Sequence, residues 1–181
     1  MQDVIHHFHE RIALIRQRLQ ATDALTMLDI SSENSIVVSD IGGEQSRVIP
    51  MDIGAQRSAR DLLRHTPPQR LEFEMAIEVI EDEIIRHHRD ISTNSILVTD
   101  SLEIKQIAQL AGIAVSETMV MEIDAMERVF SRLAAVIQGK PASSEGIPED
   151  NSFAIRLLIL REFMHHLHFE KIIILADDQV H

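Results

Sequence analysis

Ser95-Ile96-Leu97-Val98-Thr99-Asp100-Ser101-Leu102-Glu103-Ile104-Lys105-Gln106-Ile107-Ala108-Gln109-Leu110-Ala111-Gly112-Ile113 is the stretch on which the fold turns. Its aliphatic run ends in a hydroxyl residue and an acid, the pattern of a strand buried on both faces. Residues 102–110 then recur with helical spacing, Gly112 stops the helix, and residues 113–115 read as the next short strand. Strand, helix and strand in that order form a β-α-β unit, which implies locally parallel strands and a right-handed crossover. The chain therefore reads as α/β (or α+β): a small mixed sheet of four or five strands covered by long amphipathic helices.

Towards the N-terminus, residues 2–20 read as a helix, because Ile5, Phe8, Ile12, Ile15 and Leu19 alternate three and four apart on one stripe. Residues 25–30, 36–41 and 48–51 are apolar runs broken by polar turns and by Gly42-Gly43, and they read as two or three short strands joined by tight turns. A short helix over 55–64 ends at Thr66-Pro67-Pro68, and Pro68 is suited to open a second helix running to about residue 89. One echo is visible: residues 29–40 and 90–100 both pass from an Asp-Ile-Ser start through a polar turn into an aliphatic strand ending in hydroxyl-Asp. Either two similar loop-to-strand entries or a duplicated half-domain accounts for it.

Towards the C-terminus, residues 117–138 read as a helix with the seam Met119, Ile123, Met126, Phe130, Leu133 and Ile137. Residues 139–151 have the composition of a flexible loop. A further helix follows, with Phe153, Leu157, Leu160, Met164 and Leu167 at the same spacing, and residues 172–178 read either as a last strand or as the end of that helix. A chain of 181 residues with 45% hydrophobic content suits one domain, 1–181, with a sizeable core. The helical seams, each only two to three heptads long, suit a helical layer; one of them shared between two copies would give a homodimer.

The absence of Cys excludes disulfides, thiolate metal sites and Cys nucleophiles. A formal charge of −12 disfavours nucleic acid as a partner. Residues 1–7 lack the basic start and apolar run of a signal peptide, and no apolar stretch is long enough to span a membrane, so the expectation is a cytoplasmic protein without a membrane partner.

Three apolar runs end in acid: Asp40, Asp100 and the pair Asp177-Asp178. In an open α/β sheet the carboxyl ends of parallel strands line the ligand crevice. Carboxylates that converge there repel one another unless a cation neutralises them, and hard oxygen ligands suit Mg²⁺. An aspartate at a strand end also serves as a turn residue or helix cap, so for Asp100 both roles stand open at this point. Residues 96–113 resemble the late strand-Asp-helix-Gly unit of PIN-like metal-dependent nuclease domains. That resemblance implies Asp100 as a metal ligand, Asp40 as the acid ending the first strand, and Asp82 or Glu83 as the acid of the intervening helix. The candidate Mg²⁺ set is accordingly Asp40, Asp82 and Asp100.

Histidines provide a second candidate. His6 and His9 near one end, and Glu162, His165 and His166 near the other, lie on predicted helices at spacings of three and four. Imidazole and carboxylate in that arrangement bind Zn²⁺ or Ni²⁺. The same residues on a solvated helix face would bind nothing.

No P-loop, nucleophile elbow, dinucleotide fingerprint or zincin helix is present in the sequence. The leading expectation is therefore a non-catalytic or regulatory, self-associating protein that binds a small molecule. The alternatives are a Mg²⁺-dependent phosphoesterase or nuclease using strand-end carboxylates, and a His/Glu transition-metal protein.

Overall fold

The computed structural model describes residues 2–40, 42 and 46–177 and has the α/β architecture read from the sequence. Six strands form one mixed sheet in the order β3-β2-β1-β4-β6-β5. The strands β1 (Leu25–Ile30), β2 (Ser35–Asp40) and β3 (Ser46–Met51) make an antiparallel meander. β4 (Ile96–Thr99) lies parallel to β1, and β6 (Lys171–Ile174) lies parallel to β4. β5 (Met119–Glu122) closes the far edge antiparallel to β6.

Strand alternation sends the two faces of the sheet into separate cores. Leu25, Met27, Ile36, Val38 and Val98 face one side, where α1 (Gln2–Leu19) lays down Phe8, Ile12 and Ile15. Burial of each such anchor is worth about 1.5–3 kcal/mol. Leu28, Ile30, Val37, Leu97 and Ile172 face the other side. The helices on that side are α2 (Ala55–Leu62), α3 (Arg70–His87), α4 (Leu102–Leu110), α5 (Ile123–Ile137), the single turn α6 (Ala142–Glu145) and α7 (Asn151–His166). α7 is apolar nearly all round, with Leu157, Leu158, Ile159 and Leu160 all buried, because α2, α3 and α5 pack around it. Its need for cover on several sides is thus met within the chain.

Several expectations are corrected. Residues 113–115 are not a strand; the strand is β5, taken from the start of what the sequence reads as a helix over 117–138. There Met119 and Met121 are buried while Val120 and Glu122 are exposed, a period of two that suits pairing with β6. The crossover between the parallel strands β4 and β6 therefore contains α4, β5, α5, α6 and α7 rather than a single helix. The buried stripe of α5 is Ala125, Met126, Val129, Leu133 and Val136, with Ile123, Phe130 and Ile137 at its flanks. α3 begins at Arg70, two residues beyond Pro68, where Gln69 and Glu72 form a capping box. Within 139–151, α6 and Ile147 pack down, and Arg132 donates to the carbonyls of Glu145 (2.7 Å) and Gly146 (3.0 Å). Gly43, expected in a hairpin turn, lies outside the described residues.

The internal echo has no common structural role. Residues 29–40 span a hairpin from β1 into antiparallel β2, whereas 90–100 lead from a 3-10 turn at His88–Asp90 into parallel β4. Among the described residues no helix is long and apolar enough to cross a membrane.

Candidate functional site

The carboxyl ends of β1 and β4 lie side by side because the two strands are parallel neighbours, with Met27 level with Val98. The Thr99 hydroxyl donates to the Leu28 carbonyl (2.8 Å) and accepts from the Ser101 backbone N–H (3.2 Å), which pins the β4–α4 turn against β1. Asp100 follows β4 directly. Asp29 falls on the same face of β1 as Leu25 and Met27, beneath α1. Arg11 of α1 reaches both: its Nε donates to Asp100 Oδ2 (2.9 Å), and its Nη2 donates to Asp100 Oδ1 and to Asp29 Oδ1, the latter at 3.3 Å. Ser31 donates to the remaining Asp29 oxygen, Oδ2, at 2.9 Å.

All three charged groups are half-buried. Burial alone would lower the Arg11 pKa, but the hydrogen bond to Asp100 and the fields of Asp29 and Asp100 outweigh it and raise the pKa above its ordinary value. The guanidinium is thus permanently charged, and one positive charge faces two negative ones. The site carries a surplus negative charge where two parallel strands end.

Its rim is shaped by backbone. The carbonyl of Ser31 accepts from the Ala55 N–H, and that of Ser32 accepts from the N–H groups of Gln56 and Arg57, each at 2.9 Å. The first amides of α2, a ready anion site if free, are therefore consumed by the β1–β2 turn. Gly54 permits this approach: a Cβ there would stand 2.4 Å from the Glu33 carbonyl carbon. At α4, Ser101 caps the helix by accepting from the Ile104 N–H (3.3 Å).

Oxygens of Asp29 and Asp100 converge on the single nitrogen Arg11 Nη2, so both carboxylates are within reach of one cation. An all-oxygen pair of this kind fits a hard divalent ion such as Mg²⁺. Such an ion would compete with Arg11 for the same oxygens.

Of the carboxylates expected to gather, only Asp100 takes part. Asp40 sits at the opposite end of the sheet, because β2 runs antiparallel to β1 and pairs Asp40 with Leu25. There it accepts from Arg16 Nε at 2.8 Å. Asp82 is exposed on α3, on the other face of the sheet from α1. Asp177 pairs with Arg18 (3.2 Å), and Asp178 lies outside the described residues.

The histidine set divides in the same way. His6 pairs with Glu10 on α1 at 3.1 Å, and His9 is also on α1, whereas Glu162, His165 and His166 belong to α7 beyond the sheet. The two terminal helices therefore do not combine into one site within the chain. His165 bonds Glu127, while His166 stands between Glu162 (3.1 Å) and Glu81 (3.4 Å).

Asp29 and Arg11 are the residues that sequence reasoning missed. Asp29 carried a signal, since an acid in register with Leu25 and Met27 places charge on a buried face and demands a partner. Arg11, flanking the Phe8 and Ile12 stripe, carried none.

No family model matches the chain, and no curated protein matches it in sequence. Solved structures do match it in fold. The chain is similar to a PPX-GPPA enzyme of Aquifex aeolicus, with a TM-score of 0.71, 14% identity, and coverage of 88% of this chain and 55% of that one. The type II variant of the Aquifex aeolicus Ppx/GppA phosphatase gives 0.70, 12%, 90% and 56%. An exopolyphosphatase from Cytophaga hutchinsonii gives 0.64, 12%, 86% and 54%. The chain thus spans about half the length of the structures it matches. This likeness of fold counts against the leading expectation of a non-catalytic regulatory protein, since the three structures are described as an enzyme, a phosphatase and an exopolyphosphatase.

Proposed function

We propose that the chain carries a phosphohydrolase site that takes a terminal phosphate, from a phosphoanhydride such as polyphosphate or from a phosphate ester, with Arg11, Asp29 and Asp100 as its working groups. One observation carries this reading: two strand-end carboxylates share one guanidinium at the carboxyl edge of parallel strands. The fold likeness to Ppx/GppA phosphatases supports the same class of reaction.

Asp29 and Asp100 would hold a divalent ion, which supplies charge neutralisation at the phosphoryl oxygens and lowers the pKa of a bound water. The planar fork of Arg11 matches a phosphate as well as it matches a carboxylate. An incoming phosphate therefore draws Arg11 from Asp100, and the Asp100 oxygen so released and not on the ion would accept a proton from the attacking water as the bond from phosphorus to the leaving oxygen breaks, the leaving group departing as the shortened polyphosphate or the alcohol. Asp29 keeps its orientation through the Ser31 hydroxyl.

The test is phosphate release from polyphosphate and from nucleoside triphosphates in the presence of Mg²⁺, with Asp29→Asn and Asp100→Asn compared with the unaltered chain. Each substitution is expected to lower the rate at least about 100-fold, the range of loss for removing one group from a catalytic set. Absence of release from every substrate, or release that both variants retain, would overturn the proposal.

A further inference from the structure

Glu162 is an unusual residue for the interior: a carboxylate only 4% exposed, on the buried helix α7. Burial of that charge requires compensation. Its two oxygens are used differently. Oε1 accepts from Arg161 Nη1 (2.9 Å), and Arg161 is itself fixed by Glu127 (3.0 Å) and by lying 4.3 Å from the centre of the Phe130 ring. Oε2 is left to face His166 Nε2 at 3.1 Å, one helical turn further on. From the neighbouring helix α3, Glu81 Oε1 approaches the same ring nitrogen at 3.4 Å.

A single imidazole nitrogen thus stands between two carboxylate oxygens, and all three atoms lie within 4.8 Å of one another. One N–H points straight at only one acceptor, and two carboxylates on one ring nitrogen fit either a three-centre contact or a metal held between the three groups. With bonds of about 2.0–2.2 Å, two ligands of a tetrahedral Zn²⁺ stand about 3.3–3.5 Å apart. The observed separations from His166 Nε2, 3.1 and 3.4 Å, are close to that edge.

We propose that Glu81, Glu162 and His166 form a binding site for a divalent transition ion of the Zn²⁺ class, linking α3 to α7. Two carboxylates and a neutral imidazole cancel the charge of one such ion. The nitrogen ligand selects against Mg²⁺ and Ca²⁺, which take oxygen. Arg161 acts one shell out, holding Oε1 so that Oε2 is aimed at the ion. His166 and Glu81 are partly exposed, which provides a route in and leaves a coordination position for water. The site lies on the other side of the sheet from Arg11, so it stands apart from the phosphohydrolase reading.

The experiment is calorimetric titration of Zn²⁺ into the untagged full chain, with melting temperature followed in parallel. The variants are Glu81→Gln, His166→Gln and, as a control, His165→Gln. Glu81 is partly exposed on α3, so its substitution disturbs the fold less than one at buried Glu162. The expected result is one saturable equivalent that raises the melting temperature, that both Glu81→Gln and His166→Gln weaken at least tenfold, and that His165→Gln retains. Absence of saturable Zn²⁺ binding, or an equivalent undiminished in both Glu81→Gln and His166→Gln, would overturn the proposal.

Discussion

Two arginines of the same helix meet aspartates at opposite ends of the sheet, and they are used in different ways. At the amino end of β1, Arg16 donates to Asp40 Oδ2 (2.8 Å), to the Asp40 carbonyl (3.3 Å), and to the carbonyls of Ala21 (3.0 Å) and Asp23 (2.8 Å). One carboxylate meets one guanidinium, and the remaining donors tie down the chain between α1 and β1. At the carboxyl end, Arg11 meets two carboxylates and ties down no backbone carbonyl among the contacts formed by the described residues. The first arrangement is balanced in charge and saturated by protein. The second carries a surplus negative charge and is held together by a single cation. On the proposed reading, the first arrangement holds structure, and the second is the one whose shared counter-charge gives way to a metal or an anion.

The largest expected effect comes from breaking the balanced end. Arg16→Ala leaves the buried Asp40 carboxylate with no counter-charge among the described residues, only the Gly42 N–H at 3.0 Å, and is expected to cost about 3 kcal/mol of stability. Urea unfolding in EDTA and in Mg²⁺ should give the same loss, because one lone carboxylate makes a poor site for a divalent ion. Arg11→Ala is expected to cost somewhat less, about 2 kcal/mol, through repulsion between Asp29 and Asp100. Here Mg²⁺ should restore most of the loss, since an ion at about 100 times its dissociation constant contributes about 2.7 kcal/mol. Equal recovery of both variants, or of neither, would erase the distinction between the two ends.

A carboxylate of a third kind sharpens the comparison with the smallest effect. Glu72 closes the start of α3, accepting from the backbone N–H groups of Arg64 (3.1 Å) and Gln69 (3.1 Å) and bonding His65 Nδ1 (2.8 Å). Desolvation pushes its pKa up, but the bonds from His65, Gln69 and Arg64 prevail, so it lies below the ordinary 4.5. A carboxyl with a depressed native pKa contributes stability above its unfolded value and loses it as pH falls through the native one. Glu72→Gln should therefore melt below the unaltered chain at neutral pH, and the gap should narrow once pH falls beneath about 4.5. A gap constant from pH 7 to pH 3 would show that the charge of Glu72 does not matter.

Much of this arrangement was legible in local pattern. The β4–α4 unit, the short strands over 25–51 and the α1 stripe follow from residue periodicity and turn chemistry, and the last strand was legible beside a helical alternative. β5 did not, because Met119 and Met121 fit a helical seam as well as an alternating strand, and only pairing with β6 decides between them. Asp100 was legible as a strand-end acid. Its partner was misread as Asp40, because the sequence does not show that β2 runs back along β1 and carries Asp40 to the far end. Arg11 meets Asp29 and Asp100 only through the seating of α1 on the sheet, which depends on where Phe8, Ile12 and Ile15 find their pockets. Glu162 and His166 were visible at their spacing of four, but Glu81 joins them only through the packing of α3 on α7.

The most direct test of the central claim compares two conservative changes that remove the same negative charge at the two ends. Phosphate release from polyphosphate in Mg²⁺ is measured for Asp100→Asn and Asp40→Asn, at a temperature where both remain folded. The account predicts that Asp100→Asn loses at least about 100-fold in rate and that Asp40→Asn stays within a few-fold of the unaltered chain while melting lower. Equal activity in the two variants, or the greater loss in Asp40→Asn, would contradict it.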